Sequence, residues 1–102
     1  MDRDLFVSGD LVVHFKRETL SKEELLKRPF KHIYRVVGRG FDTATEKPVM
    51  IYQPLDEDDK RAFFMFTVPI EEFYSEVDKR KYPNIKQKYR MELLQSNKSA
   101  PL

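Results

Sequence analysis

Along the chain the apolar positions change period several times, and each change marks a predicted element. Between Asp10 and Lys16, Leu11, Val13 and Phe15 recur every second residue, which predicts a first strand with those three on its inner face. Gly9 permits the turn before it. The period lengthens over residues 20–28. Ser21 followed three positions later by Glu24 is a capping box, in which each side chain satisfies a backbone N–H of a helix start. Leu20 and Leu25 flank it at the staple positions, Leu25 and Leu26 give the helix an apolar edge, and Pro29 stops it. Ile33–Val37 reads as a second strand, after which Gly38-Arg39-Gly40 predicts a bulge or bend. Phe41–Lys47 reads as a hairpin connection with Asp42, Thr43 and Thr45 as turn residues. Val49–Tyr52 is a third strand, ended by Pro54 and followed by a charged turn over Asp56–Lys60.

Ala62–Thr67 is dense in Phe. Such a run is an aggregation hazard when exposed, so it is expected to be a central, covered strand. Pro69 suits the first turn of a second helix, with Glu71 and Glu72 at the positive end of its dipole. Ile70, Phe73, Tyr74 and Val77 then form one buried stripe. After the break at Pro83-Asn84, Tyr89, Met91 and Leu93 alternate with Lys88, Arg90 and Glu92, the pattern of a half-buried last strand. The resulting expectation is a mainly β fold with two short helices: a small SH3-like β-barrel or a strongly bent antiparallel sheet. A barrel like that of modified-base-binding domains is the second choice of closed form. One domain is expected over residues 1–95, with 96–102 as a flexible polar tail.

Composition narrows the chemistry. With 102 residues the chain supports one modest core, and with 8 Phe, 5 Tyr and no Trp that core is built around Phe. There is no Cys, which removes disulfides, thiolate catalysis and thiolate metal sites, and favours a reducing compartment. No apolar run reaches the roughly 20 residues of a membrane span. Met1-Asp2-Arg3-Asp4 is acidic with no apolar segment behind it, so no signal peptide is expected and the location expected is cytoplasmic. The net charge of +2 is unevenly spread: Lys79–Leu102 carries +6 and the remainder −4. In that segment Lys79, Arg80, Lys81, Lys86, Lys88 and Arg90 interleave with Tyr82 and Tyr89, a combination of phosphate-seeking charge and stacking rings; Lys98 follows in the tail.

Most catalytic signatures are missing. Two His residues, His14 and His32, make neither a three-His site nor H-E-x-x-H. Ser8, Asp10 and His14 would share a strand face, but positions four apart on a strand are separated by more than about 12 Å, too far for a triad. His14 is expected to pack on a strand surface and His32 to be solvated. Asp56 to Asp59 has neither the Gly nor the closing Glu of a calcium loop, since Arg61 and Thr67 occupy those positions, and a solvated hairpin is expected. Gly9, Gly38 and Gly40 are too few for a phosphate loop. No metal and no cofactor is expected.

Several of these residues, taken in order, resemble the domain-of-unknown-function family 1653 of small bacterial proteins. The pattern consists of His14-Phe15-Lys16, a short charged helix at Ser21–Arg28, then Tyr34-Arg35-Val36-Val37-Gly38, Thr45, Tyr52-Gln53, Pro69 with Phe73, and Val77-Asp78-Lys79 through Tyr89-Arg90. It spans roughly Gly9 to Leu94. Asp42 stands where the family often has His, and Val68 where it often has Arg before the helix-opening Pro. The resemblance implies a compact β-rich domain and places His14, Lys16, Tyr34, Tyr52 and Gln53 on neighbouring strands, where they form the expected ligand-binding surface. The function expected is a non-catalytic binding module for a protein partner. RNA or DNA binding through Lys79–Arg90 is the alternative, and a small enzyme is a third reading. No membrane partner is expected.

Overall fold

The computed structural model describes residues 5–97. Five strands form one antiparallel sheet: β1 (Leu11–His14), β2 (Ile33–Asp42), β3 (Lys47–Pro54), β4 (Phe66–Pro69) and β5 (Met91–Gln95). Two short helices, α1 (Lys22–Lys27) and α2 (Ile70–Phe73), complete the fold, with a 3-10 turn over Phe15–Thr19. The strand order is β4-β3-β2-β1-β5, so the sheet has two ends and stays open. Of the two architectures expected, the bent sheet is the one found. It bends at two register shifts, one between Val36 and Gly38 against β3 and one between Leu11 and Val12 against β5. The first makes Val37 the extra residue, next to the glycine pair that signalled it.

One face of the sheet is the core. Val12 pairs with Tyr34, Val36 with Tyr52, and Met50 with Val68, so these side chains rise from the same surface. Phe73 and Tyr74 from α2, with Phe6 and Met91, cover them. Phe6 stacks on Tyr74 at 5.3 Å and donates its backbone N–H to the Tyr74 hydroxyl at 2.9 Å. Burying a ring such as Phe73, which is 2% exposed, contributes about 1.5–3 kcal/mol.

Several expectations are corrected. The inner face of β1 carries Val12 and His14, while Leu11 and Val13 lie on the opposite face beside Arg35 and Ile33. Phe15 is buried because the 3-10 turn rotates it inward, so its burial does not follow the period of the strand. The Phe-rich run is not a central strand: β4 starts only at Phe66 and forms one edge of the sheet, and Phe63, Phe64 and Met65 are exposed. The strand β2 continues through both glycines to Asp42, and Gly40 faces Ile51 so closely that a Cβ there would come within 2.9 Å of it. α2 is a single turn, although its stripe holds: Phe73, Tyr74 and Val77 are buried. Tyr89 lies outside β5, in an isolated bridge with Glu76, and Leu93 is half exposed. Asn97 donates its backbone N–H to Asp10 at 2.8 Å; of the segment expected as a tail, Lys98–Leu102 lie outside the described residues and the expectation is untested.

Candidate functional site

Adjacent strands place an aromatic array on the core face. Tyr34 from β2, Tyr52 from β3 and Phe66 from β4 meet edge to face or tilted, with centroids 5.2–6.0 Å apart, and Phe73 closes on Tyr52 at 5.2 Å. These separations lie in the favourable range for aromatic pairs. Arg61 lies over Phe66 at 4.6 Å. Burial holds both phenols neutral, pushing Tyr34 up to about 12, with the neighbouring Tyr52 adding to it, and raising Tyr52 as well.

His14 lies on the same face from β1, its ring stacked on Phe15 at 4.5 Å and tilted against His32 at 5.8 Å. Its Nδ1 accepts the backbone N–H of Lys16 at 3.1 Å, which leaves the ring proton of the neutral form on Nε2. Burial, then the charges of His32, Arg90 and Lys16, lower its pKa to about 4, so the ring is neutral at physiological pH. His14, Tyr52, Glu72 and Arg90 line a small cleft of about 40 Å³ floored by Val68, Phe73 and Met91. Glu72 and Arg90 share this cleft without forming an ion pair.

The structure thus brings His14, Tyr34 and Tyr52 to one face. Gln53 pairs with Arg35 on the opposite face, and Lys16 is exposed on the 3-10 turn. Val68 lines the cleft, so that departure from the family pattern falls at the site. Asp42 lies at the far hairpin, where its carboxylate accepts from Ala44 and Thr45. Ser8 and Asp10 have structural partners, the Val37 carbonyl and the Val7 and Asn97 amides. Among the described residues no group of acids and histidines is arranged to hold a metal ion.

Parts of the basic segment are engaged within the fold. The Lys79 ammonium folds back onto the Ile85 and Gln87 carbonyls, and the Glu18 carboxylate accepts from the Lys86 and Gln87 amides. Arg90 turns toward the core face, over Phe15 at 5.4 Å. Lys79 itself, Arg80, Lys81, Lys86 and Lys88 are all exposed.

A second, larger cleft of about 450 Å³ lies between the end of α1 and the turn 56–61, with Tyr34 and Pro54 on its sheet side. Its wall is ordered by Asp56, which is buried and not solvated as expected: Oδ2 accepts from Arg28 Nε at 2.9 Å and also from Nη2, and Oδ1 accepts the Asp58 amide at 3.1 Å. His32, on the rim, is half buried in the left-handed region at φ 67°, and burial lowers its pKa.

A family model described as "Protein of unknown function (DUF1653)" matches residues 10–92, from the start of β1 into β5. The chain belongs to the DUF1653 family. No curated protein and no solved structure matches it. DUF1653 membership establishes kinship over most of the chain and names no reaction. No helix among the described residues is long and apolar enough to cross a membrane.

Sequence reasoning missed three groups. Phe63–Met65 were read as covered, because a Phe-rich string looks the same in a central and in an edge strand. Glu72 reaches the His14 cleft from α2, and Arg90 reaches it from the basic segment; nothing local links either to His14. Lys31 and Lys60 line the larger cleft from segments 29 residues apart, and only the sheet order brings them together.

Proposed function

We propose that this DUF1653 protein is a non-catalytic interaction module that takes up an extended segment of a partner protein along the open edge of β4. The observation that supports this is the juxtaposition of that edge with Phe63, Phe64 and Met65, which are 100%, 67% and 59% exposed. An unpaired strand edge offers a row of backbone donors and acceptors, and three exposed large apolar side chains beside it are a liability unless a partner covers them. Strand addition uses both: main-chain bonds give affinity and side-chain contacts give selectivity. The flanking charges set the polarity. Lys60, which has no ion pair among the described residues, precedes the edge, and Glu71 and Glu72 follow it. An antiparallel partner strand fits best with an apolar middle, basic residues at its N-terminal end and acidic residues at its C-terminal end. The core-face aromatics serve as the rigid backing of this edge, since Phe66 belongs to both.

Display of a library of ten-residue extended peptides against the whole chain tests the reading. Enriched peptides should carry that polarity, and a Phe63→Ser/Phe64→Ser variant, altered only at exposed positions, should lose them. Equal enrichment on the variant, or none on either, overturns it. Nucleic-acid binding through Lys79–Arg90 is less well supported, because Lys79 and Arg90 are already engaged within the fold. Single-stranded RNA in the same assay separates the two readings.

A further inference from the structure

The larger cleft shares Lys60 and Arg61 with the approach to the β4 edge, and its other lining residues play no part there. Its volume of about 450 Å³ falls within the range of small-molecule pockets. Four cations line it (Arg28, Lys31, Lys60 and Arg61) together with three carboxylates, those of Asp56, Asp58 and Asp59. Two of the carboxylates are committed. Asp56 is held by Arg28. Asp59 accepts from Arg61 Nε and Nη2 at 3.2 Å each, and from the Arg61 amide at 2.8 Å. These two pairs fix the walls. Lys31 and Lys60 are left without an ion pair among the described residues, and Asp58 is the one carboxylate not held by a cation. On the sheet side, the Tyr34 side chain has no hydrogen-bond partner among the described residues, while its ring is fixed against Tyr52. Pro54 supplies an apolar wall. His32 also lines the cleft, with its backbone in the left-handed region at φ 67°, a conformation that recurs at ligand sites.

We propose that this cleft binds a small aromatic compound bearing one phosphate or carboxylate group. Lys31 and Lys60 receive the anionic group. Tyr34 donates its hydroxyl to the anion, as a phenol is protonated throughout the physiological range. The ring lies against Tyr34 and Pro54, and Asp58 accepts a hydrogen bond from a ring donor, which selects rings that carry an N–H or O–H. The pairing of Arg28 with Asp56 and of Arg61 with Asp59 means that the site forms before the ligand arrives, which reduces the ordering cost of binding. This inference stands without the β4 reading.

Titration of the whole chain, followed by amide chemical shifts, tests it with four probes: adenosine monophosphate, adenosine, 4-hydroxybenzoate and inorganic phosphate. The expected result is saturable shifts at residues 28–34 and 56–61 with at least one ring-bearing anion, and at least tenfold weaker binding of adenosine and of phosphate alone. Lys31→Gln/Lys60→Gln should weaken the ring-bearing anion about tenfold or more, and Tyr34→Phe a few-fold, with both variants keeping the wild-type melting profile. The phosphate and carboxylate probes decide between the two anionic groups. Shifts scattered over the whole surface, no shifts at millimolar probe, or binding unchanged in the lysine double variant overturn the proposal.

Discussion

The two helices are opposites. α1 carries the most complete local signal in the chain: Ser21 Oγ accepts the Glu24 amide at 3.1 Å, and Glu24 Oε1 accepts the Ser21 amide at 3.2 Å. Yet none of its residues is buried, and Leu26 is 84% exposed. α2 is one turn with no side-chain cap, yet it delivers Phe73 to the core and leads directly to Tyr74. How strongly a segment is specified locally and how much it contributes to the fold are separate quantities. A six-residue helix is far below the length that is stable alone in water, so α1 persists through its cap and through Arg28, its C-cap residue, which is clamped to Asp56. α2 persists through what it buries.

That contrast can be broken or sharpened by measurement. The largest effect is expected from Phe73→Ala, which should cost about 3–5 kcal/mol in denaturant unfolding; a loss below about 1 kcal/mol would mean that α2 does not anchor the core. Acidification should separate the two regions. The lowered pKa of His14 means its contribution is complete above 6.5 and is lost as the pH falls from about 6.5 toward 4, because the unfolded chain binds the proton first. Glu24 has its pKa lowered by the Ser21 backbone and side-chain hydrogen bonds, so the α1 cap holds until the pH falls below the ordinary carboxylate range. Stability should therefore decline with pH over the His14 interval in the wild type and more shallowly in His14→Gln, before the amides of residues 22–27 lose protection. A smaller effect is expected from Ser21→Ala. It should cost about 1 kcal/mol within α1, visible as faster amide exchange there, while the global transition stays within about 0.5 kcal/mol. Leu26→Ala should change the melting curve least, by less than about 0.5 kcal/mol; a larger shift would show that α1 packs more tightly than its exposure indicates.

What was legible in the sequence follows the same division. The capping box, the helix-opening Pro69 and the stripe through Phe73, Tyr74 and Val77 obey rules that act within a few residues, and all three were readable. The glycine pair signalled the β2 bulge for the same reason. The sheet order was not readable, because pairing is decided by partners tens of residues apart. The face of β1 was misread because Phe15 is buried by a turn of different period. On the candidate site, His14, Tyr34 and Tyr52 were correctly placed on neighbouring strands. The strand alternation that puts Tyr52 on the core face sends Gln53 to the opposite one. Asp56 looked solvated because the sequence does not reveal that Arg28, 28 positions away, closes over it.

Asp10 also settles where the two ends of the described chain lie. Its buried carboxylate accepts the Val7 amide through Oδ2 at 2.9 Å and the Asn97 amide through Oδ1 at 2.8 Å, with Gly9 at φ 92° turning beneath the Asn97 side chain. The first and last segments therefore meet on a single side chain. The ring this implies can be cut elsewhere: joining the ends with a short linker and opening the exposed turn 43–46 gives a circular permutant with the same strand neighbours. In that permutant β2 and β3 would no longer be a hairpin but the two extremities of the chain. Their pairing would become the most distant contact instead of the nearest, so the permuted chain should reach the same fold more slowly.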